Sequence, residues 1–196
     1  MGALLAVMTP LRLVNEVVLK LGRGLGVVAV ALMVTAILIQ VFYRYVLNNA
    51  LPWPDEAARF CMLWMTGLMA PTAFRRGGFV AIDTVVRLLP ERLGALISLV
   101  LLFLSLGVLI VAVQIGWSEV TGFAGKLATA SRYLPTNLSF ENWFRVPRSW
   151  MMASLLFGVI VLISVNIELI LRALVKMLGG ADQLPASALE EQVGAE

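Results

Sequence analysis

Residues 93–117 carry no charged side chain across 25 positions. As a helix they would extend about 37 Å, more than the ~30 Å of hydrocarbon in a bilayer. A segment this apolar must satisfy every peptide N–H and C=O internally once it leaves water, and a helix does that within one stretch of chain. Two other runs resemble it. Residues 24–42 are charge-free over 19 positions, and residues 150–166 are charge-free with the apolar pattern continuing past Glu168 to Leu171. Together they place the chain in the all-α class of integral membrane proteins. Composition agrees: 60% of the 196 residues are hydrophobic and 14% charged, against about 25% charged in soluble domains.

A fourth run, residues 60–74, is too short to cross a bilayer alone. The stretch before it, "NNALPWPDEAARF", lengthens it. Pro54 suits the first helical position, where its missing N–H costs nothing. Asp55 and Glu56 then fall in the first turn, facing unpaired N–H groups and the positive end of the helix dipole. Asp55 precedes Arg59 by four residues, the favourable order for a helical ion pair. At the other end Arg75 and Arg76 suit a last turn, and Gly77 or Gly78 a left-handed cap. The helix therefore runs over about 54–76, with a kink expected at Pro71.

Four spans result, at about 24–45, 54–76, 93–117 and 149–172, forming one transmembrane domain over 24–172. Two amphipathic pieces are expected to lie in the membrane interface. The first, in the N-terminal segment 1–23, follows Thr9-Pro10 and puts Leu11, Val14, Val18 and Leu21 on one face and Arg12, Glu16 and Lys20 on another. The second puts Ile82, Val85, Val86 and Leu89 opposite Asp83 and Arg87. The loop 119–148 is long and holds Tyr133, Pro135, Trp143 and Pro147. The polar, acidic tail 173–196 reads as disordered beyond Gly179-Gly180. The N-terminus lacks a basic region ahead of its apolar part and reads as retained rather than as a cleaved signal. With four spans both termini share a side. Nine of the fifteen Lys and Arg fall on that side and six on the other, which places the termini in the cytoplasm.

The residue inventory narrows the chemistry. There is no histidine, which removes His-ligated haem, His-containing zinc sites and Ser-His or Cys-His nucleophile systems. The single Cys61 cannot form an intrachain disulfide and reads as a small buried hydrophobe. A formal net charge of +3, without a clustered basic face, does not describe a nucleic-acid binder. Met62, Met65 and Met69 recur at helical spacing, as packing residues do. "GRGLG" at 22–26 follows no strand and opens a span, so it is not a phosphate loop. No nucleophile, base or metal cluster is visible, and the chain does not read as an enzyme.

Two acidic features remain. Asp55 and Glu56 are read as helix-starting residues, with cation or proton handling and contact to a partner as the alternatives. Adjacent helical side chains diverge by about 100°, which disfavours one shared site. Glu168 is the one acid within an apolar span, a functional candidate by default. Arg172, four residues on, offers it an ion pair. Asn166 could hydrogen-bond across a helix contact, and Gly67, Pro71, Gly94 and Ser98 offer close helix approach. Arg75-Arg76 could bind lipid headgroups, or simply end the helix and fix topology.

The stretches "YRYVLNNALPWPDEAARF" and "FRRGGFVAIDTVVRLLP" resemble the small permease subunit, DctQ type, of tripartite ATP-independent periplasmic (TRAP) transporters. Arg44-Tyr45 at the end of the first span, Trp53, Glu56, Arg59, Arg75-Arg76-Gly77 and Asp83 match that family's pattern. Pro147 before the last span agrees, and the likeness covers about 20–175. The chain departs from the pattern in having Pro54-Asp55 after the Trp, where Ser or Thr is frequent, and Phe79 where His is common.

The resemblance implies a partnership. In that family the small subunit binds a large permease that carries the sodium and substrate sites and moves as an elevator. A periplasmic binding protein delivers the substrate, usually an organic acid such as a C4-dicarboxylate. The small subunit would be a scaffold in the bacterial inner membrane with no cofactor of its own, sodium being expected on the partner. Arg44, Trp53, Asp55, Glu56, Arg59, Arg75, Arg76 and Asp83 would set helix ends and partner contacts. The competing expectation is an autonomous four-helix transporter, working as a homo-oligomer with Glu168 as coupling acid. A membrane anchor for a redox enzyme is disfavoured by the missing axial ligands.

Overall fold

The computed structural model describes residues 2–49, 51, 53–76, 91–122, 128–135 and 143–178. Four helices carry these residues: α1 (Gly2–Tyr45), α2 (Trp53–Arg75), α3 (Glu91–Thr121) and, after a hairpin, α4 (Ser149–Met177). Three of them hold stretches long and apolar enough to cross a membrane, at Met8–Tyr45, Leu93–Thr121 and Ser149–Met177. Helix α2 has 23 residues, enough at ~1.5 Å each to cover about 34 Å, but it is the less apolar of the four. The hairpin lies in the long loop, where the sequence suggested no regular structure. Strands β1 (Ala128–Pro135) and β2 (Trp143–Pro147) pair antiparallel, Tyr133 opposite Arg145 and Pro135 opposite Trp143, with a register shift between Ala128 and Tyr133.

Helix α1 corrects one expectation. The interfacial helix expected within 1–23 is not a separate element: α1 runs unbroken for 44 residues and starts at Gly2, ahead of Thr9-Pro10. Pro10 sits in its third turn, where the missing N–H withdraws one bond from an early carbonyl. Nothing in 20–26 breaks the helix either, because Gly22 and Gly26 are used for packing. The expected apolar face is packed at Val18 but not at Val14 or Leu21. Val14 and Leu21 are exposed, whereas Met8, Asn15, Leu19, Gly22 and Gly26 are buried. Those five positions recur at intervals of seven, four, three and four, one stripe of a helix. The helix ends where Asn48 adopts φ 48°, a left-handed conformation asparagine tolerates, and the Asn49 N–H returns to the Tyr43 carbonyl at 3.0 Å.

The chain divides into two compact units. One comprises 1–20, 70–112 and 159–196. Its core is Leu19, Val161 and Val165, with Val18, Phe74 and Leu169 packed around it. Asn166 of α4 is fully buried and donates to the Leu102 carbonyl of α3 at 3.2 Å, the interhelical bond its position suggested.

The other unit comprises 21–69 and 113–158, and small residues bring its helices together. A Cβ on Gly22 would lie 3.0 Å from the Leu68 carbonyl oxygen, and one on Gly26 would lie 2.8 Å from Met69 Cγ. Gly67 of α2 is tighter still, since a Cβ there would run into the Ser154 carbonyl of α4. A Cβ on Gly158 would meet the Gly67 carbonyl oxygen at 2.6 Å. The Gly67 carbonyl is one that Pro71, lacking an N–H, leaves without its helical donor. Close backbone approach of this kind is how helices associate where hydrophobicity gives no drive.

Candidate functional site

The candidate site is a polar cluster built on Glu168. Its position follows from α4, whose residues Ser164, Glu168 and Arg172 stand one turn apart on one face. Glu168 is fully buried at 0% exposure. A lone buried carboxylate would be costly, so its surroundings must supply donors. They do so from three helices. Arg172 of α4 donates to Oε1 through its Nη2 at 3.0 Å and its Nε at 3.3 Å. Arg75, from the last turn of α2, donates to the same oxygen at 2.9 Å. Asn15 of α1 donates from Nδ2 to Oε2 at 2.8 Å. Asn15 is held in turn by Ser164, whose hydroxyl donates to Oδ1 at 2.6 Å, and its amide also reaches the Ser164 carbonyl at 3.3 Å.

Both oxygens of Glu168 are thus engaged, one by two guanidiniums and one by an amide. The guanidinium-bearing side chains are 17% and 16% exposed, so the charges are largely shielded from water. Such an arrangement fastens three helices at one point. Each oxygen of Glu168 already accepts at least one hydrogen bond. Among the described residues no group of three or more His, Cys, Asp or Glu gathers as a metal site.

The sequence-named residues divide sharply. Glu168 and Arg172 pair as their spacing suggested, and Arg75 turns inward to the same carboxylate while ending α2. Arg76 is exposed, its N–H bonded to the Thr72 carbonyl. At the start of α2, Asp55 and Glu56 occupy the first turn as expected, with Pro54 buried beside them. Asp55 and Arg59 are both exposed and form no ion pair with each other. The expected pair fails because a solvent-side contact gains too little to offset the entropy of holding the Arg59 side chain in one place. Trp53 is exposed, Glu56 is half-buried, and Arg44 lies 5.9 Å from the centroid of the Tyr45 ring. Asp83 and the amphipathic piece 82–89 lie outside the described residues, as does the tail from 179. Pro71 is buried within an uninterrupted α2.

Sequence reasoning missed Asn15 and Ser164. A signal for Asn15 existed: it lies on the same stripe as Met8, Leu19 and Gly22, where a polar residue among packing positions asks for a partner. Choosing the face through Leu11, Val14, Val18 and Leu21 hid it.

Comparison with known protein families gives a match. The family model described as tripartite ATP-independent periplasmic transporters, DctQ component, matches residues 33–176. No curated protein matches. The match spans all of α2 and α3 and α4 as far as Lys176, and takes in Arg75, Glu168 and Arg172. A membrane family and three apolar helices make the chain a multi-pass membrane protein.

Proposed function

We propose the following function for this chain, which belongs to the DctQ-component family of tripartite ATP-independent periplasmic transporters: it is the scaffold subunit of a sodium-coupled, binding-protein-dependent uptake system for an organic acid such as a C4-dicarboxylate. The family is a transporter component and not an enzyme family, and it works with a large permease and a substrate-binding protein. On this reading the large permease holds sodium and substrate, and this chain extends the static part of the complex. It crosses the bacterial inner membrane four times, α2 included, with both termini in the cytoplasm.

The observation that carries the scaffold role is the state of Glu168. A coupling acid must exchange a proton or a cation during each cycle. Here both carboxylate oxygens are already held by Arg75, Arg172 and Asn15. This fully buried carboxylate is therefore committed to joining helices. Arg44, Trp53, Asp55, Glu56, Arg59 and Arg76 are left for helix ends and for surfaces that meet the partner.

Two measurements test this. A C-terminally tagged chain, solubilised gently from native membranes, is expected to co-purify a large multi-span permease in fixed stoichiometry. Purification alone as a homo-oligomer would sink the scaffold reading. In assembled complexes, Glu168→Gln is expected to lower yield while uptake per complex stays within about threefold, since an interaction that does not change along the transport cycle does not set its rate. Abolished uptake with normal assembly would instead make Glu168 a coupling acid.

A further inference from the structure

Glu168 neutralises only one of the two guanidiniums that converge on it. Arg75 and Arg172 both bond its Oε1, so the trio retains one positive charge. The last turn of α2 offsets about half a charge through its dipole, no more. Each guanidinium has five N–H donors. Arg75 gives one to Glu168 and Arg172 gives two, and both side chains keep a sixth of their surface open. Two further cations, Arg76 and Lys176, are exposed next in sequence to this trio and one turn beyond it, and neither pairs with a described acid. Glu16 on α1, another acid of this unit, is exposed and forms no ion pair among the described residues. Apolar side chains stand exposed on the same elements: Ile167, Met177 and Leu178 on and just after α4, and Leu13, Val14 and Val17 on α1.

We propose that Arg75, Arg172, Arg76 and Lys176 form a binding site for a phosphate-bearing anion, filled by the headgroup of an anionic phospholipid. The chemistry fits on both counts. Guanidiniums with spare, fixed N–H donors recognise phosphate oxygens in forked geometry, and a flanking ammonium adds a point charge. The neighbouring exposed aliphatic side chains offer acyl chains a surface, which a free phosphate would not use. A basic cluster at the end of an apolar helix is where anionic headgroups collect. Glu168 then has a second role, as the fixed anchor that aims Arg75 and Arg172 while leaving their outer N–H groups available. The site is independent of the permease partnership and needs only that the chain crosses a membrane.

The test uses the full chain in a neutral maltoside detergent. Its thermal unfolding midpoint is followed by tryptophan fluorescence during titration with phosphatidylglycerol, with phosphatidylcholine of the same acyl chains, and with inorganic phosphate. Phosphatidylglycerol is expected to raise the midpoint by about 4 °C at tenfold its dissociation constant, and phosphatidylcholine by much less. The Arg76→Gln/Lys176→Gln variant changes exposed residues outside the buried trio, so it should fold normally and lose at least half of that shift. An equal response to phosphatidylcholine, or a full shift retained in the variant, would overturn the site. An equal response to inorganic phosphate would keep the phosphate chemistry and overturn the lipid as its source.

Discussion

Helices α3 and α4 are close in length, 31 and 29 residues, and both qualify as membrane spans, yet their surroundings are opposite. In the most apolar window of α3 no residue is buried, whereas 39% of the corresponding window of α4 is. Helix α3 exposes Val100, Phe103, Leu104, Val108, Val111 and Ile115, and its Gly107 has nothing within 4 Å of where a Cβ would stand. Helix α4 buries Ser154, Gly158, Val165, Asn166 and Glu168. Apolar character made both helices compatible with lipid, but it did not decide which one would be packed. Small residues and hydrogen-bonding groups did, because in lipid an aliphatic side chain gains little by exchanging lipid contacts for protein contacts.

Five substitutions can break that contrast or sharpen it. The largest effect is expected at the backbone crossing of α2 and α4. Gly67→Val or Gly158→Val would force a side chain into a carbonyl group, and either should cost more than about 4 kcal/mol and abolish recovery of folded protein. Folded yield on size exclusion checks this, and normal recovery of either variant would refute the close approach. Next comes Glu168→Gln, which leaves two shielded guanidiniums without their anion and should cost about 3–5 kcal/mol. A midpoint lowered by less than about 3 °C would show that the cluster does not fasten the helices.

Asn15→Leu tests a smaller contribution, the loss of one donor to a buried carboxylate, worth about 1–3 kcal/mol. Combining it with Glu168→Gln should cost less than the sum of the two singles, since both act on one network. Strict additivity would mean Asn15 acts elsewhere. Smallest, and opposite in sign, is Gly107→Ala on α3. With open space around it, the change should stabilise by about 0.5–1 kcal/mol through helix propensity alone. A destabilisation there would mean that α3 is packed by something its exposed surface does not show.

The two acidic features that stood out in the sequence illustrate how far a sequence can be read. Asp55 and Glu56 look conspicuous in "PWPDEAARF", and their first-turn placement was legible because caps and dipoles are local physics. Glu168 looked less unusual with Arg172 four residues on, and that pair was legible for the same reason. What was not legible was Arg75, 93 residues away, or Asn15, 153 residues away, both reaching the same carboxylate. Nothing in local spacing encodes such contacts. The β1–β2 hairpin was missed for a related reason, since its paired strands are short and interrupted by a register shift.

By itself the sequence determined that this chain lives in a membrane as long helices, and roughly where α2, α3 and α4 begin and end. Apolar runs, prolines, first-turn acids and last-turn arginines act within a few residues and can be read in order. Tertiary structure decided which helix became the core, which face of α1 was packed, and that Glu168 would bind three helices together. Those outcomes depend on side chains meeting across large sequence separations, where the cost of burying a polar group is lifted only by partners that folding brings to it.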